Sequence, residues 1–183
     1  MSLADFCNLP EAKMAGLKPH HTAVLRFYTL SSFPKFNQPM RDGACPHPGR
    51  FVMYVLADAL KRLCVVDAQL HPEDLNQEMV LYRGMANMEF DVKMLKAVGG
   101  TELAPMSTTD SKDVATAYAK SERPLVFVFK TKALSRGSCI KWLSLYPREV
   151  EYLYPPLTFL SFLGDSYVKE DGITYQDIEP QMS

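Results

Sequence analysis

The chain has 183 residues, 47% of them hydrophobic, and its 20 lysines and arginines nearly balance 21 aspartates and glutamates, for a formal net charge of -1. That length suits one domain around one core, and the balance leaves no broad field to attract nucleic acid or an anionic membrane. Cys7, Cys45, Cys64 and Cys139 lack Cys-x-x-Cys spacing and form no metal-ligand pattern with His20, His21, His47 and His71, so free thiols are expected, with neither zinc nor disulfides.

The opening segment, MSLADFCNLPEAKM, has no basic n-region and no apolar h-region, and no later apolar run approaches membrane-spanning length. A cytosolic protein, or one delivered to a cytosol without a cleaved signal peptide, is expected. Next, HHTAVLRFYTL predicts a short helix with Val24, Leu25 and Tyr28 at helical spacing. Pro34, Pro39 and an Asp42-Gly43 turn signal then break the pattern. After ACPHPG comes the clearest helix, GRFVMYVLADALKRL. Val52, Val55, Leu56, Ala59 and Leu63 recur on one face of it, which is core and carries no chemistry.

From Met79 the period changes to that of strands. MVLYRG ends in Arg83-Gly84, and LVFVFKTK is so uniformly apolar that both of its faces must be covered. Between them STTDSKDVATAYAK predicts a helix with Asp110 as N-cap and Val114, Ala117 and Tyr118 as the buried stripe, which sets Ser107 just before a helix. Apolar character returns in CIKWL, followed by the loop SLYPR, the segment REVEYLYPP and a last strand, PLTFLSFLG. The remaining DGITYQDIEPQMS reads as a tail or a docking element. Helices before strands give an α+β order. We expect a single domain over residues 1–183, with a helical lobe to about 75, a β-rich core over about 76–170 and a short C-terminal tail.

In REVEYLYPP a strand would put Glu149 and Glu151 on one face, roughly 7 Å apart. Their repulsion is relieved either by a cationic ligand or by water at a solvated strand edge. A hydride-transfer fold is set aside: no Gly-x-Gly-x-x-Gly follows a strand, and Gly99-Gly100 runs into Thr101-Glu102-Leu103.

Three features thus stand in order: Arg83 closing a strand, Ser107-Thr108-Thr109 ahead of a helix, and Glu149-Val150-Glu151 entering a strand. This order resembles the Arg-Ser-Glu clade of mono-ADP-ribosyltransferases, which includes arginine-specific enzymes and bacterial toxins and effectors. AVLRFYT with FPKFNQPMR is similar to the family's helical lead-in, a Tyr-Thr pair followed by an Asn and a Leu/Met-Arg. GSCIKWLSLYPREVEYLYPPLTF is similar to its run through a Ser-x-Tyr-Pro loop to Glu-x-Glu and Pro-Pro. The likeness spans roughly residues 20 to 163. The usual Ser-Thr-Ser is Ser-Thr-Thr here, with the third hydroxyl kept. Lacking the signal sequence, lipid-anchor tail and paired cysteines of vertebrate surface members, the chain looks like an intracellular or effector-type relative.

The resemblance implies a split β-sandwich of two packed sheets with an N-terminal helical lobe. It implies NAD as a consumed co-substrate, no metal, a protein acceptor, and a monomer that engages neither nucleic acid nor membrane. Nicotinamide leaves as a neutral molecule, so one carboxylate suffices where glycoside hydrolysis needs two. By resemblance that residue is Glu151, bonded to a ribose hydroxyl and stabilising developing positive charge. Arg83 holds a pyrophosphate or ribose oxygen, Gly84 lets the ligand approach the backbone, and Ser107 orients Glu151, with Thr108 beside it in the NAD-binding set. Glu149 binds the incoming arginine, and Tyr146 offers it an aromatic face. Two alternatives stay open: an NAD glycohydrolase, and a catalytically silent protein-binding domain on the same fold.

Overall fold

The computed structural model describes residues 1–30, 33–70, 76–88, 91–132, 135–145, 149–169 and 171–182. Five helices come first: α1 (Leu3–Cys7), α2 (Pro10–Met14), α3 (Pro19–Tyr28), α4 (Pro34–Arg41) and α5 (Arg50–Leu70). In α3, Pro19 fills the first helical position, where its missing N–H would have had no partner, and His21 Nδ1 accepts the Lys18 N–H at 3.1 Å. The long helix α5 runs seven residues past its predicted end. Its buried face is Met53, Leu56, Ala59, Leu60, Leu63 and Val66, with Val52 and Val55 at the margin.

The predicted breaker segment forms α4, with Pro39 inside it. An interior proline costs about 3 kcal/mol of helix stability. Tertiary ties offset that here: Asn37 is buried and donates to the Tyr28 hydroxyl at 2.8 Å, and Arg41 pairs with Glu102.

The strand region follows as β1 (Met79–Ala86), α6 (Val92–Val98), β2 (Gly100–Glu102), β3 (Met106–Thr109), α7 (Lys112–Ala119), β4 (Pro124–Thr131), β5 (Ser138–Cys139), β6 (Glu151–Tyr154), β7 (Thr158–Val168) and β8 (Thr174–Gln181). CIKWL, read as a continuous apolar segment, supplies only the end of β5 and a 3-10 turn at Lys141–Leu143. Among the described residues the strands run in the order β2-β7-β8-β4-β1-β3-β6-β5. The junction between β1 and β3 is a single pair, Tyr82 opposite Thr109. Five strands lie on one side of it and three on the other, and their inner faces meet. Leu81, Phe127, Phe129 and Phe162 from the first part pack with Met106, Tyr152 and Tyr154 from the second. This is the split sandwich the resemblance implied. Leu153 points the opposite way, into the helical lobe with Leu25, Leu56 and Leu60. As predicted, β4 is covered on both faces, with Phe127 and Phe129 inside the sandwich and Val126 and Val128 under α7.

Two expectations are corrected. The C-terminal segment is no tail: β8 lies between β7 and β4, parallel to β4, with Tyr175 and Ile178 fully buried. Its polar composition hid it, because Gln176 is buried with its amide satisfied by Ser166 Oγ and the Leu163 carbonyl. The second correction concerns α7. Its N-cap is Ser111, whose Oγ accepts from Val114 N at 3.3 Å, and its buried residues are Ala115 and Ala119. Val114 and Tyr118 turn to the other side.

Gly84 explains that rotation. A Cβ on Gly84 would lie 1.8 Å from the Ala115 carbonyl oxygen and 2.9 Å from Ala119 N, so α7 crosses β1 directly over this residue. The close approach expected of a ligand is made by a helix. Replacing Gly84 with alanine is expected to destabilise the fold by about 1–3 kcal/mol or more through overpacking against fixed backbone. A lowered urea midpoint at unchanged m-value is the check.

Candidate active site

The single β1–β3 pair sets Arg83 beside Ser107. Arg83 Nη1 donates to the Ser107 carbonyl at 2.8 Å. Strand β3 in turn pairs with β6, placing Thr109 opposite Glu151, and the Ser107 hydroxyl stands close enough to favour the charged form of the Glu151 carboxylate. Thus three side chains from distant points of the chain meet because β3 lies between the strands that carry the other two. Glu149 sits in a bend just before β6, half-buried. All four line a cleft of about 240 Å³ together with Gly84 and Thr108. The Thr108 side chain is buried, and its hydroxyl donates to the Tyr152 carbonyl at 3.0 Å, so it ties β3 to β6. Tyr146 lies outside the described residues.

Burial pushes the Glu151 carboxyl above its usual range, and the negative charge of Glu149 adds to the rise. The Ser107 hydroxyl and the Arg83 charge oppose both. Burial also draws Arg83 below the ordinary guanidinium value, an effect the carboxylate of Glu102 resists. A guanidinium starting so high remains charged. The pocket therefore joins a fixed cation, a hydroxyl and two carboxylates, of which Glu151 holds its proton more tightly than in water.

The helical lobe supplies a wall. Tyr28, Thr29, Phe33 and Asn37 face the cleft, as do Val114 and Tyr118 from α7. The Tyr28 hydroxyl accepts from Asn37 and donates to the Pro105 carbonyl at 3.2 Å, and burial raises its pKa to about 12, so it stays neutral. None of these six was singled out as a site residue from sequence. The Tyr-Thr pair and the following Asn were signals for three of them. Tyr118 was taken for core because its spacing matches a buried stripe. Among the described residues no group of His, Cys, Asp and Glu could hold a metal ion, and no helix is long and apolar enough to cross a membrane.

The two-part sandwich, with Arg83, Ser107 and Glu151 gathered at its junction, has the fold of the ADP-ribosyltransferases. No family model matches the chain. Among curated proteins it is 25% identical over 180 residues to mono-ADP-ribosyltransferase C3 of Clostridium botulinum C phage, covering 84% of this chain and 71% of that protein. The ADP-ribosyltransferase HopU1 of Pseudomonas syringae superposes with a TM-score of 0.74 at 19% identity, over 98% of this chain and 86% of its own. Exoenzyme S of Pseudomonas aeruginosa, solved with human 14-3-3 protein beta and bound to Carba-NAD, gives a TM-score of 0.66 at 18% identity, over 97% and 86%. In fold, and at 25% identity in sequence, the chain is thus similar to mono-ADP-ribosyltransferases.

Proposed function

We propose that the protein transfers one ADP-ribose from NAD to an arginine side chain of a protein acceptor, with release of nicotinamide. The observation that carries this reading is the second carboxylate: Glu149 lines the same cleft as Glu151 and acts on its charge. The residues suit the substrate. Arg83 offers a planar, permanently charged fork for an anionic or ribose oxygen. Glu151, steadied by Ser107, supplies negative charge where the ribose becomes positive as the bond to nicotinamide breaks. Glu149, in the bend before β6, receives the guanidinium.

Two carboxylates that repel each other across a partly dry cleft make a planar cation a favoured occupant. A lysine ammonium matches the charge but not the fork. With the acceptor absent, water takes the same position, and NAD hydrolysis is the minor reaction. The likeness to Exoenzyme S bound to Carba-NAD supports NAD as co-substrate, and we propose an effector-type enzyme working in a cytosol. We further propose a monomer, one catalytic domain, and no engagement of nucleic acid or membrane.

Incubation with labelled NAD and either polyarginine or polylysine tests the acceptor class. Label on polyarginine alone supports the reading, and equal or preferential label on polylysine overturns it.

A pH dependence follows from the raised Glu151 pKa. Its carboxylate must be ionised to act, so activity is lost as pH falls through a value above the ordinary 4.5 of a glutamate. Replacing Glu149 with glutamine removes a neighbouring charge that contributes to the rise. The acid limb of the NAD hydrolysis profile is expected to move to lower pH in that variant, as kcat/KM against pH will show.

A further inference from the structure

Helix α4 is fastened to the sheet by two polar ties that converge on the residues just before β3. The first is the chain from Asn37 through the Tyr28 hydroxyl to the Pro105 carbonyl. The second is an ion pair. Arg41 donates through Nε and Nη2 to the two carboxylate oxygens of Glu102, at 3.0 and 3.1 Å. Glu102 is itself held: its Oε1 accepts the Ala104 backbone N–H at 3.0 Å, and its side chain is only 17% exposed. Of the charges acting on Arg83, that of Glu102 is the strongest, and the like charge of Arg41 comes next. The acid therefore grips the guanidinium of α4, and its charge also acts on that of β1, which is itself held by the Ser107 carbonyl.

A fork of this kind occupies one edge of the Arg41 guanidinium and leaves Nη1 on the other. Without its partner a half-exposed arginine samples many rotamers, and ordering it again opposes ligand binding. Glu102 also offsets the cost of holding Arg83 in a half-buried position.

We propose that Glu102 is a positioning residue for the NAD half of the reaction. It fixes Arg41 one helical turn beyond Asn37, which lines the cleft, and so sets the affinity for the dinucleotide without touching the reacting bond. The inference rests on the transferase reading. Charge counting alone makes the opposite prediction, since deleting an acid beside two cations should strengthen the binding of an anion. Positioning makes it weaker.

The test measures NAD binding by calorimetry and turnover by steady-state kinetics on the same preparations. Replacing Glu102 with glutamine is expected to raise both Kd and KM for NAD about tenfold, with kcat within about twofold of the parent. In an Arg41→Gln background the same change should alter Kd by less than about twofold, because the tie is already broken. Thermal melting establishes that each variant is folded. If Glu102→Gln fails to fold, Arg41→Gln at the more exposed end of the tie carries the test, and must raise KM for NAD at constant kcat. Unchanged or tighter NAD binding by a folded variant, a fall in kcat at constant KM, or a full effect in the Arg41→Gln background overturns the proposal. Wild-type protein that neither binds NAD nor releases nicotinamide removes the transferase reading and this proposal together.

Discussion

Replacing Glu151 with glutamine is expected to lower nicotinamide release and ADP-ribose transfer together, by at least about a hundredfold to a thousandfold. The amide is nearly isosteric and can still face the Ser107 hydroxyl, so the cleft keeps its shape and loses one negative charge. Both outcomes of the reaction depend on that charge because both begin with the same bond cleavage. NAD binding should change far less than turnover, the pattern of an interaction made mainly in the transition state. Equal losses in Kd and rate would instead make Glu151 a binding residue. A variant with wild-type nicotinamide release would end the assignment altogether.

The same substitution has a stability consequence of opposite sign. The folded-state pKa of Glu151 lies above its unfolded value, chiefly because of burial. The native state therefore binds this proton more tightly than the unfolded chain does. Its contribution is fully present below the unfolded pKa and is lost as pH rises through the folded pKa. At neutral pH the ionised carboxylate works against folding, and the uncharged glutamine variant should show a higher urea midpoint than the parent. Below the ordinary glutamate value of 4.5 the two should converge, since both side chains are then neutral. A variant that loses activity while gaining stability marks a residue kept for chemistry at the expense of the fold.

What could be read from sequence follows from the range of the interactions involved. Helix α5 and strand β4 were legible because burial imposes a local period, 3.6 residues in one case and an uninterrupted apolar run in the other. Helix α4 was not, because Pro39 argues locally against a helix, while the Asn37 and Arg41 ties that hold it reach residues far along the chain. Strand β8 was missed for a related reason: Gln176 is buried, and its amide is satisfied in large part from β7, through Ser166 Oγ and the Leu163 carbonyl. The face of α7 was misjudged because its orientation is set by a glycine some thirty residues earlier, Gly84, against which only Ala115 and Ala119 can lie flat. At the site, Arg83, Ser107, Glu149 and Glu151 were visible as an ordered set of motifs. Their meeting depends on the β1–β3 and β3–β6 pairings, which no local pattern encodes. Glu102 carried no signal at all: on a three-residue strand it looks like any surface acid until Arg41 is seen to grip it.

Replacing Glu149 with alanine is expected to separate the two outcomes that the Glu151 variant loses together. Transfer to arginine should fall by at least about a hundredfold, while NAD hydrolysis stays within a few-fold of the parent. Glu149 stands in the bend before β6, outside the β1–β3 and β3–β6 pairings that bring Arg83, Ser107 and Glu151 together, so its removal leaves that arrangement in place. What is lost is the partner for the acceptor's guanidinium, whose proton is too firmly held to leave without a nearby base. In the parent enzyme, adding a small guanidinium compound should divert turnover from hydrolysis to transfer. In the variant it should leave the hydrolysis rate unchanged. Chromatography of labelled NAD products with and without the compound gives both rates in one experiment. If the alanine variant loses hydrolysis as completely as transfer, the two carboxylates act as one unit on NAD, and the acceptor must then be chosen elsewhere on the surface. If it loses neither, the guanidinium does not dock between the two acids, and the arginine preference has no support in the site.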